Sequence, residues 1–559
     1  MINVDRQLEA LDIIEKEDYH CPFNLKRIIS GVDKPTVKQI TKEFSLFNKK
    51  LDFPQTTAVQ KALNAESIAI IQGPPGTGKT NVIIEIIRQI LKENDRNPEL
   101  EPKKILLVSQ SHPAVDKMIE DLIKDCKERP DLIRIGRDEN LNEEVRENYA
   151  LPYVKERWIN EVKEDCQKYM DSLMLELGIS SEEFNKYCQE KEKAKISNEK
   201  TESVDKQYIN NFEKRTAGFK SERIRKILEI QKEWSEQINK SEETELYIIK
   251  GTTIIAGTCT GFISNKIIRG VDFDYVIVDE AAKATFPELA VSLNKAQKII
   301  LVGDHQQLPP VLDTDIIRAN SDKLQEEKLV NTIFEELYEM FPLENKHRLT
   351  IQYRMHPAIG TLISHVFYED EIQNGIEEVE RKLDIKGYEN IAIEWIDTSK
   401  RSDKDRFETE YNSRGKKSYQ NSLELKIIKE KLMELDSKLN ARTKVGVITA
   451  YSPQKYILSA MAKQLSLKNI IVEVDTVDAF QGSQKDIIIY STVRSNDNPH
   501  HIGFLKSEAR LNVALSRARC LLVIVGDLEF LDNDKIRPAK FYEIAQYIKG
   551  HNYCRIVEY

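Results

Sequence analysis

The chain has 559 residues, a length that predicts about three to four domains. Its residues are 40% hydrophobic and 31% charged, a composition typical of a globular protein. No apolar run approaches the roughly 18 residues that a membrane-spanning helix needs, and the acidic N-terminal segment lacks the apolar core of a signal peptide. The net charge of −9 argues against bulk coating of nucleic acid but allows a local basic groove.

The cysteines indicate a reducing compartment. Seven are scattered along the chain, an odd number without a CxxC pair. This pattern favours free thiols over disulfides or zinc sites. We therefore expect a cytoplasmic protein with no membrane association.

The first motif is a phosphate-binding loop. In "IAIIQGPPGTGKTNVII" (residues 68–84), an apolar strand leads through a Gly/Pro loop into an amphipathic helix, and the loop matches GxxxxGK[ST]. Glycines let the backbone N–H groups point at phosphate, and the helix N-terminus adds partial positive charge. Lys79 would reach the β and γ phosphates of ATP, and Thr80 would bind Mg²⁺. The predicted loop comprises Gly73, Pro74, Pro75, Gly76, Thr77, Gly78, Lys79 and Thr80.

A charged, motif-free segment follows at residues 138–250. Its apolar residues recur at helical spacing and predict a long amphipathic helix, with a second helix at about 222–238. The stripe of the first helix comprises Val154, Trp158, Val162, Cys166, Met170, Leu173 and Leu177. We expect a helical hairpin or small bundle, which is either a structural stalk or an element that docks a protein partner or guides a strand.

Two further strands end in polar residues. "DYVIVDEAA" (274–282) places Asp279 and Glu280 where a parallel sheet binds its ligands. Asp279 would hold the metal and Glu280 would orient or deprotonate water, although such a pair can also cap a helix. "KIILVGDHQQLPP" (298–310) adds Gln307, which could sense the γ-phosphate.

The C-terminal part contains a polar segment and a buried arginine motif. Residues 398–420 are expected to be a mobile loop, and the basic end at 414–417 is either a nucleic-acid contact or a solvated charge run. "RLNVALSRAR" (510–519) leads into the apolar run "CLLVIVGD". A guanidinium at the edge of such a strand needs an anion, so Arg517 belongs either to a salt bridge or to a ligand site.

Taken in order, these motifs resemble those of a known family. They are "LDFPQTTAV", "GPPGTGKT", "SHPAVD", "TCTG", "VDEAA", "GDHQQLPP", "QYRMHP", "GVITAYSPQ", "VDTVDAFQGSQKD" and "NVALSRA". The chain resembles superfamily 1 helicases of the class that includes the nonsense-mediated-decay RNA helicase, senataxin and the immunoglobulin-μ-binding helicase. The resemblance implies an α/β fold with two tandem RecA-like P-loop NTPase domains and ATP in the cleft between them.

The resemblance also implies a domain organisation. We expect a lead-in at 1–45 that is too short to be a domain, a first RecA-like domain at 46–345 interrupted by the helical insertion, a second at 346–550, and a tail at 551–559.

Several roles at the ATP site come from the resemblance alone. Arg517 would be an arginine finger and Arg354 its companion, both reaching the γ-phosphate when the cleft closes. Gln55 resembles the glutamine that reads adenine, and Tyr353 would stack on the base unless it is an ordinary core aromatic. Gly482 lies in a segment expected to contact both ATP and the nucleic-acid backbone.

The sequence departs from the family at three positions. Gln484 occupies the place of a glutamate that binds the ribose, so it can hydrogen-bond a hydroxyl but brings no charge. Ala450 replaces a proline, and His112 stands where some members have asparagine. None of these changes removes a catalytic group.

A nucleic-acid track is implied as well. Its candidates are Ser111, His112, Thr258, Thr260, Thr449, Tyr451 and Thr476, although small polar residues of this kind also satisfy caps and turns. The resemblance implies an ATP- and Mg²⁺-dependent helicase that moves 5′-to-3′ on single-stranded DNA or RNA. The alternative is a nucleic-acid-associated ATPase switch or remodeller that does not unwind strands.

Overall fold

The computed structural model describes residues 2–19, 21–38, 45–126, 129–196, 204–238, 242–311, 332–413, 416–480, 482–498, 500–533 and 540–559. Contacts group the chain into two compact units. The larger comprises Met1–Glu128, Gly257–Thr260 and Asp272–Tyr559, and the smaller comprises Arg129–Ala256 and Gly261–Val271. Among the described helices, none combines the length and the apolar character needed to cross a membrane.

Strands and helices alternate along most of the chain. The strands are β1 (Ile68–Gln72), β2 (Ile105–Ser109), β3 (Leu132–Arg134), β4 (Ile254–Thr258), β5 (Phe273–Asp279), β6 (Ala296–Gly303), β7 (Lys346–Arg348), β8 (Ile351–Gln352), β9 (Gln373–Asn374), β10 (Ile393–Asp397), β11 (Thr409–Ser413), β12 (Lys416–Gln420), β13 (Thr443–Thr449), β14 (Ile470–Thr476), β15 (Lys485–Ser491), β16 (Ala518–Gly526) and β17 (Cys554–Glu558). The helices are α1 (Ile2–Glu15), α2 (Leu25–Ile29), α3 (Phe53–Asn64), α4 (Lys79–Arg96), α5 (His112–Asp125), α6 (Glu143–Tyr149), α7 (Leu151–Leu177), α8 (Ser181–Ile196), α9 (Lys206–Arg215), α10 (Phe219–Gln237), α11 (Glu242–Gly251), α12 (Phe286–Leu293), α13 (Ile333–Met340), α14 (Pro357–Phe367), α15 (Asp403–Arg406), α16 (Ser422–Lys438), α17 (Ser452–Gln464), α18 (Glu508–Leu515), α19 (Leu528–Leu531) and α20 (Phe541–Gly550).

The first sheet of the larger unit is parallel, and its strands follow the order β2-β5-β6-β1-β7. Strands β1 and β2 are buried along their whole length, as expected where helices cover both faces of a parallel sheet. The lead-in joins this layer, because α1 packs on α12 and the Arg6 guanidinium donates a 2.9 Å hydrogen bond to the Thr260 carbonyl.

The first sheet extends past the domain boundary that we placed at residue 345. β7 (346–348) pairs in parallel with β1, so the predicted start of the second domain at 346 is wrong by at least this strand. The residues of β7 are polar and half-buried, which gave no apolar signal for a strand.

The second sheet has six parallel strands in the order β14-β13-β15-β16-β10-β17. The segment predicted as a tail, 551–559, supplies its edge strand β17, which pairs with β10. The Arg555 guanidinium also donates a 2.8 Å hydrogen bond to the buried Glu394 carboxylate. A charge pair across the sheet therefore fastens a segment that the sequence alone suggested was peripheral.

The segment predicted as a mobile loop, 398–420, contains regular structure. It forms α15 and the antiparallel hairpin β11–β12. The Arg494 guanidinium lies 3.9 Å from the centre of the Tyr419 ring and 3.0 Å from the Glu408 carboxylate, so packing orders this polar stretch. Of the basic end at 414–417, residues 414 and 415 lie outside the described residues, and Lys417 pairs with Glu410 at 3.1 Å.

The smaller unit contains the predicted helical insertion. Helices α7 and α10 confirm the two predicted amphipathic helices, and β3 pairs with β4 in parallel. Cys166, Met170 and Leu228 are buried in its hydrophobic core. Trp234, which lies on α10, is 47% exposed.

A buried carboxylate supports the end of β15 in the second sheet. The fully buried Glu424 accepts hydrogen bonds from the Ser491 hydroxyl at 2.6 Å, the Thr492 hydroxyl at 3.0 Å and the Val493 N–H at 2.9 Å. Val493 has a φ of +68°, which is unfavourable for a β-branched residue, so these bonds hold a strained turn. Burial raises the pKa of Glu424 to about 7 from its ordinary 4.5.

This pKa predicts a pH-dependent stability. As the pH rises from about 5 to 7, the unfolded chain releases the Glu424 proton while the folded protein retains it, so stability should fall by up to about 3 kcal/mol. Urea unfolding followed by Trp395 fluorescence, with Trp158 and Trp234 replaced by phenylalanine, measures the change. Glu424→Gln should remove this component, and equal pH slopes in the two proteins would contradict the prediction.

Candidate active site

The loop between β1 and α4 is shaped by backbone geometry that glycine permits. Gly76 and Gly78 have φ values of +79° and +81°. A Cβ at Gly73 would lie 2.1 Å from the Lys79 Cγ, and one at Gly76 would lie 2.6 Å from the Arg354 Cβ. The Lys79 ammonium donates a 2.7 Å hydrogen bond to the Gly73 carbonyl. The loop therefore closes at the start of α4, with the Lys79 side chain folded back against Gly73.

The acidic pair lies at the carboxyl end of β5, beside Lys79. Asp279 is buried, and burial, followed by the charge of Glu280, raises its pKa to about 7, with Lys79 partly opposing the shift. Glu280 has a φ of +53°, and its carboxylate lies 3.9 Å from the Lys79 ammonium. The strained turn thus aims the two carboxylates differently, one buried and one toward the lysine.

The donors at this place fit Mg²⁺. The Asp279 Oδ1 atom is buried and has no hydrogen-bond partner, and Thr80 presents a hydroxyl from the first turn of α4. Within the described ranges, no group of three or more His, Cys, Asp or Glu residues is arranged to hold a metal. A carboxylate, a hydroxyl and phosphate oxygens are the set through which Mg²⁺ commonly binds.

A series of hydrogen bonds connects the residues that follow β6 to three residues from the part of the sequence that forms the second sheet, namely Tyr368, Asn512 and Arg517. Asp304 accepts hydrogen bonds from the Gln307 amide at 2.7 Å and from the Tyr368 hydroxyl at 2.6 Å. The Asn512 amide donates to the Tyr368 hydroxyl at 2.8 Å, and the Arg517 guanidinium donates to the Gln307 Oε1 atom at 3.3 Å. Gln307 therefore contacts Arg517 directly, while Asp304, which the sequence had not assigned a role, anchors the group.

Arg517 and Arg354 bring two positive charges to the same place. Burial lowers the pKa of both side chains, that of Arg354 to about 9 with the Arg517 charge as the second cause. Their hydrogen bonds among the described residues go to uncharged oxygens, such as the Val513 carbonyl at 2.9 Å and the Ser516 carbonyl at 3.4 Å. Buried guanidiniums with neutral partners suit an anionic ligand better than an internal salt bridge.

These groups line one cavity of about 970 Å³ in the larger unit, a size at the upper end for small-molecule sites. Its lining includes most of the predicted ATP-site residues, namely Gln55, Pro74, Pro75, Gly76, Gly78, Lys79, Thr80, Asp279, Glu280, Gln307, Tyr353, Arg354, Gly482, Gln484 and Arg517. Gly73 and Thr77 belong to the same loop but do not line the cavity.

Gln55 and Tyr353 are held in place by Asp52. The Asp52 carboxylate accepts hydrogen bonds from the Gln55 N–H at 2.7 Å and from the Tyr353 hydroxyl at 2.8 Å. The Gln55 amide also donates to the Thr77 carbonyl at 3.0 Å. Both predicted base-binding residues therefore line the cavity.

Sequence reasoning missed several cavity residues. They include Ser109, Lys117, Lys283, Arg381 and Arg519. Arg381 donates 2.7 Å hydrogen bonds to the carbonyls of both Tyr353 and Arg354, and so fixes that segment. Ser109 had a usable signal, since it ends an apolar strand and only Gln110 separates it from "SHPAVD", whereas Arg381 lies in a stretch without a motif.

The predicted nucleic-acid residues are not brought together in the same way. Ser111 lines the cavity, and His112, Thr260 and Thr476 are partly exposed. Thr258 and Thr449 are buried, and the Thr449 hydroxyl accepts a 3.4 Å hydrogen bond from the Tyr451 N–H.

Tyr451 lies between β13 and α17 and packs inside the protein. Its ring is buried beside Tyr419 and Phe504, and its hydroxyl accepts a 3.3 Å hydrogen bond from the Phe504 N–H. The contacts of Thr449 and Tyr451 are therefore those of residues that satisfy a turn and pack inside the protein.

Comparison with known proteins identifies the family. Two family descriptions, each of an AAA domain, match residues 50–315 and 329–529. The chain is 30% identical to the uncharacterized ATP-dependent helicase MJ0104 of Methanocaldococcus jannaschii, over 96% of this chain and 76% of that protein. It is 30% identical to the helicase Sen1 of Schizosaccharomyces pombe, over 86% of this chain and 29% of that protein.

The hamster protein SMUBP-2 of Mesocricetus auratus, named as a DNA-binding protein, is 29% identical over 95% of this chain and 48% of its own length. The chain thus spans less than two thirds of Sen1 and of SMUBP-2, but about three quarters of the archaeal relative. The matches and the ordered motifs agree with the parallel sheets and the cavity. The chain therefore belongs to the superfamily 1 ATP-dependent helicases, in the class that includes senataxin and the immunoglobulin-μ-binding helicase, with two tandem RecA-like domains and a helical insertion in the first.

Proposed function

We propose that this chain hydrolyses ATP with Mg²⁺ in the 970 Å³ cavity and uses the cycle to move along single-stranded nucleic acid, in the 5′-to-3′ direction. The observation that carries the proposal is the convergence of Lys79, Asp279 and Glu280 from the first sheet with Arg354 and Arg517 on one cavity. Together with Thr80 and a bound Mg²⁺, this set would provide the kinds of group that phosphoryl transfer to water uses.

Each residue then has a role in hydrolysis. Lys79 and the loop N–H groups would bind the β and γ phosphates, and Thr80 with Asp279 would hold Mg²⁺, whose charge would offset that of the phosphates. Glu280 orients the attacking water and accepts its proton. Arg354 and Arg517 stabilise the negative charge that develops on the transferred group.

The positions of these groups would couple ATP binding and hydrolysis to closing and opening of the cleft. Lys79 and Gln307 follow strands of the first sheet, and Arg517 lies beside β16 of the second. A γ-phosphate bound between them favours the closed cleft, because both sides contact it, and its loss removes that preference. The 3.3 Å contact between Gln307 and Arg517 is a direct route for this signal.

The strand would be gripped by polar groups on the two RecA-like domains. Ser111, His112 and Thr260 remain candidates from the first and Thr476 from the second, because their side chains are at least partly exposed. Hydroxyl contacts to phosphates hold the backbone without reading bases, so either DNA or RNA fits.

ATP hydrolysis measured without polymer, with single-stranded DNA and with single-stranded RNA, at one low salt concentration, tests this function. We expect turnover to rise at least about tenfold with one of the polymers, because strand binding stabilises the closed cleft. Basal turnover that neither polymer stimulates would contradict translocation and favour the switch alternative. A strand-displacement assay with a 5′ or a 3′ overhang then decides the direction.

We also propose that the helical insertion docks a protein partner, and that the protein is cytoplasmic. Exposed apolar side chains on α7 and α10, such as Leu175 at 83%, Ile230 at 64% and Trp234 at 47%, support the docking role. All seven cysteines are free thiols, which supports a reducing compartment.

A further inference from the structure

Ser109 stands out among the cavity residues that no motif accounts for. It is the last residue of β2, its side chain is fully buried, and it lines the cavity. Its Oγ atom has no hydrogen-bond partner. A buried hydroxyl without a partner is costly, so its position indicates a polar group that it serves when the site is loaded.

The neighbour of Ser109 is the predicted metal ligand. β2 and β5 are adjacent parallel strands, and Ser109 is in register with Asp279. Register partners on neighbouring parallel strands are about 4.8 Å apart and direct their side chains to the same face. The Oδ1 atom of Asp279 is likewise buried without a partner, so two unsatisfied oxygens lie side by side at one sheet edge.

The backbone of Ser109 is fixed. Its carbonyl accepts a 3.0 Å hydrogen bond from the Cys259 N–H. The hydroxyl therefore projects from a rigid strand end and not from a mobile loop. Because a serine side chain is short and Asp279 is close, a water molecule bound to the metal is the group that both oxygens can share.

We propose that Ser109 is a positioning residue for the divalent cation, whose hydroxyl hydrogen-bonds to a water carried by the ion beside Asp279. The proposal rests on the proposed ATPase function and on Asp279 as metal ligand. It adds a residue that supports the metal without contacting the nucleotide. The competing explanation is that Ser109 is only a small residue that the sheet edge accommodates.

Mn²⁺ binding to the full chain with a non-hydrolysable ATP analogue, followed by electron paramagnetic resonance, tests the proposal. Ser109→Ala should weaken Mn²⁺ binding by about 10-fold or more, the effect typical of losing a partner of a ligated group. Binding of the analogue without metal should stay unchanged. The Mg²⁺ concentration for half-maximal ATP turnover should rise in parallel.

Stability without metal separates the two explanations. Since the Ser109 hydroxyl has no internal partner, Ser109→Ala should leave the metal-free melting temperature unchanged or raise it. Ser292→Ala is the matched control, because Ser292 is equally buried but donates a 2.9 Å hydrogen bond to the Leu289 carbonyl. That control should lower the melting temperature and leave Mn²⁺ binding intact.

Unchanged Mn²⁺ affinity in Ser109→Ala would overturn the proposal, provided that Asp279→Asn loses metal in the same assay. If the native chain bound no metal–nucleotide complex and hydrolysed no ATP, the proposed function would fail first. The two failures are therefore distinguishable.

Discussion

Replacing Arg517 with alanine should lower the ATP turnover number by about 10³-fold or more, the usual contribution of an arginine finger. The reason is that the guanidinium is buried at the cavity with only uncharged partners, so its charge is available to the transferred phosphoryl group. ATP binding should be nearly unchanged, because in the proposed site Lys79 and the loop N–H groups would hold the phosphates. Single-turnover hydrolysis and fluorescent-nucleotide titration measure the two quantities.

Arg510→Ala is the matched control for this change. Arg510 lies in the same motif but pairs with Asp478 at 3.5 Å and does not line the cavity. It should hydrolyse ATP at nearly the native rate. Normal hydrolysis by the Arg517 variant would refute the finger role and leave Arg517 as a structural residue that supports Gln307.

Lys79→Ala should strongly reduce ATP turnover while leaving single-strand binding largely intact. Removing the ammonium takes away the charge that we propose binds the β and γ phosphates, together with a 2.7 Å hydrogen bond to the Gly73 carbonyl, so a loss of about 10²–10³-fold is expected. Steady-state hydrolysis and fluorescence anisotropy of a labelled oligonucleotide give the two readouts.

Lys92→Ala, on the same helix but with its ammonium over the Phe47 ring, controls for effects on α4. It should retain turnover and strand binding. If the Lys79 variant still hydrolysed ATP at the native rate, the cavity would not be the site of hydrolysis. If strand binding disappeared together with turnover, the two sites would not be separable as proposed.

The residues that line the cavity were easier to predict from the sequence than the candidate nucleic-acid residues, because the two patterns are encoded differently. Phosphate binding by the loop requires glycines at particular φ angles and a lysine at the start of a helix, and that local requirement leaves a motif. A strand grip needs only small polar groups that reach solvent. Whether Thr449 and Tyr451 do so depends on neighbours such as Phe504, which are distant in sequence.

Boundaries and edge elements were harder to predict for a related reason. β7 is polar and β17 lies at the end of the chain, so neither had a strong apolar pattern, and each exists because a partner strand accepts it. The hairpin β11–β12 looked like a loop by composition, yet Arg494 and Tyr419 order it through a contact between distant parts of the sequence.

By itself, the sequence determined the P-loop, the acidic pair, the helical insertion and the family, because each depends on spacing along a continuous stretch of chain. Only the tertiary structure decided that Ser109 lies beside Asp279, that Arg381 fixes the Tyr353 segment, and that Gln307 contacts Arg517. Those pairings come from strand register and from the approach of the two sheets. They form because burying surfaces from distant parts of the chain stabilises the fold, and no local sequence pattern specifies which of these surfaces meet.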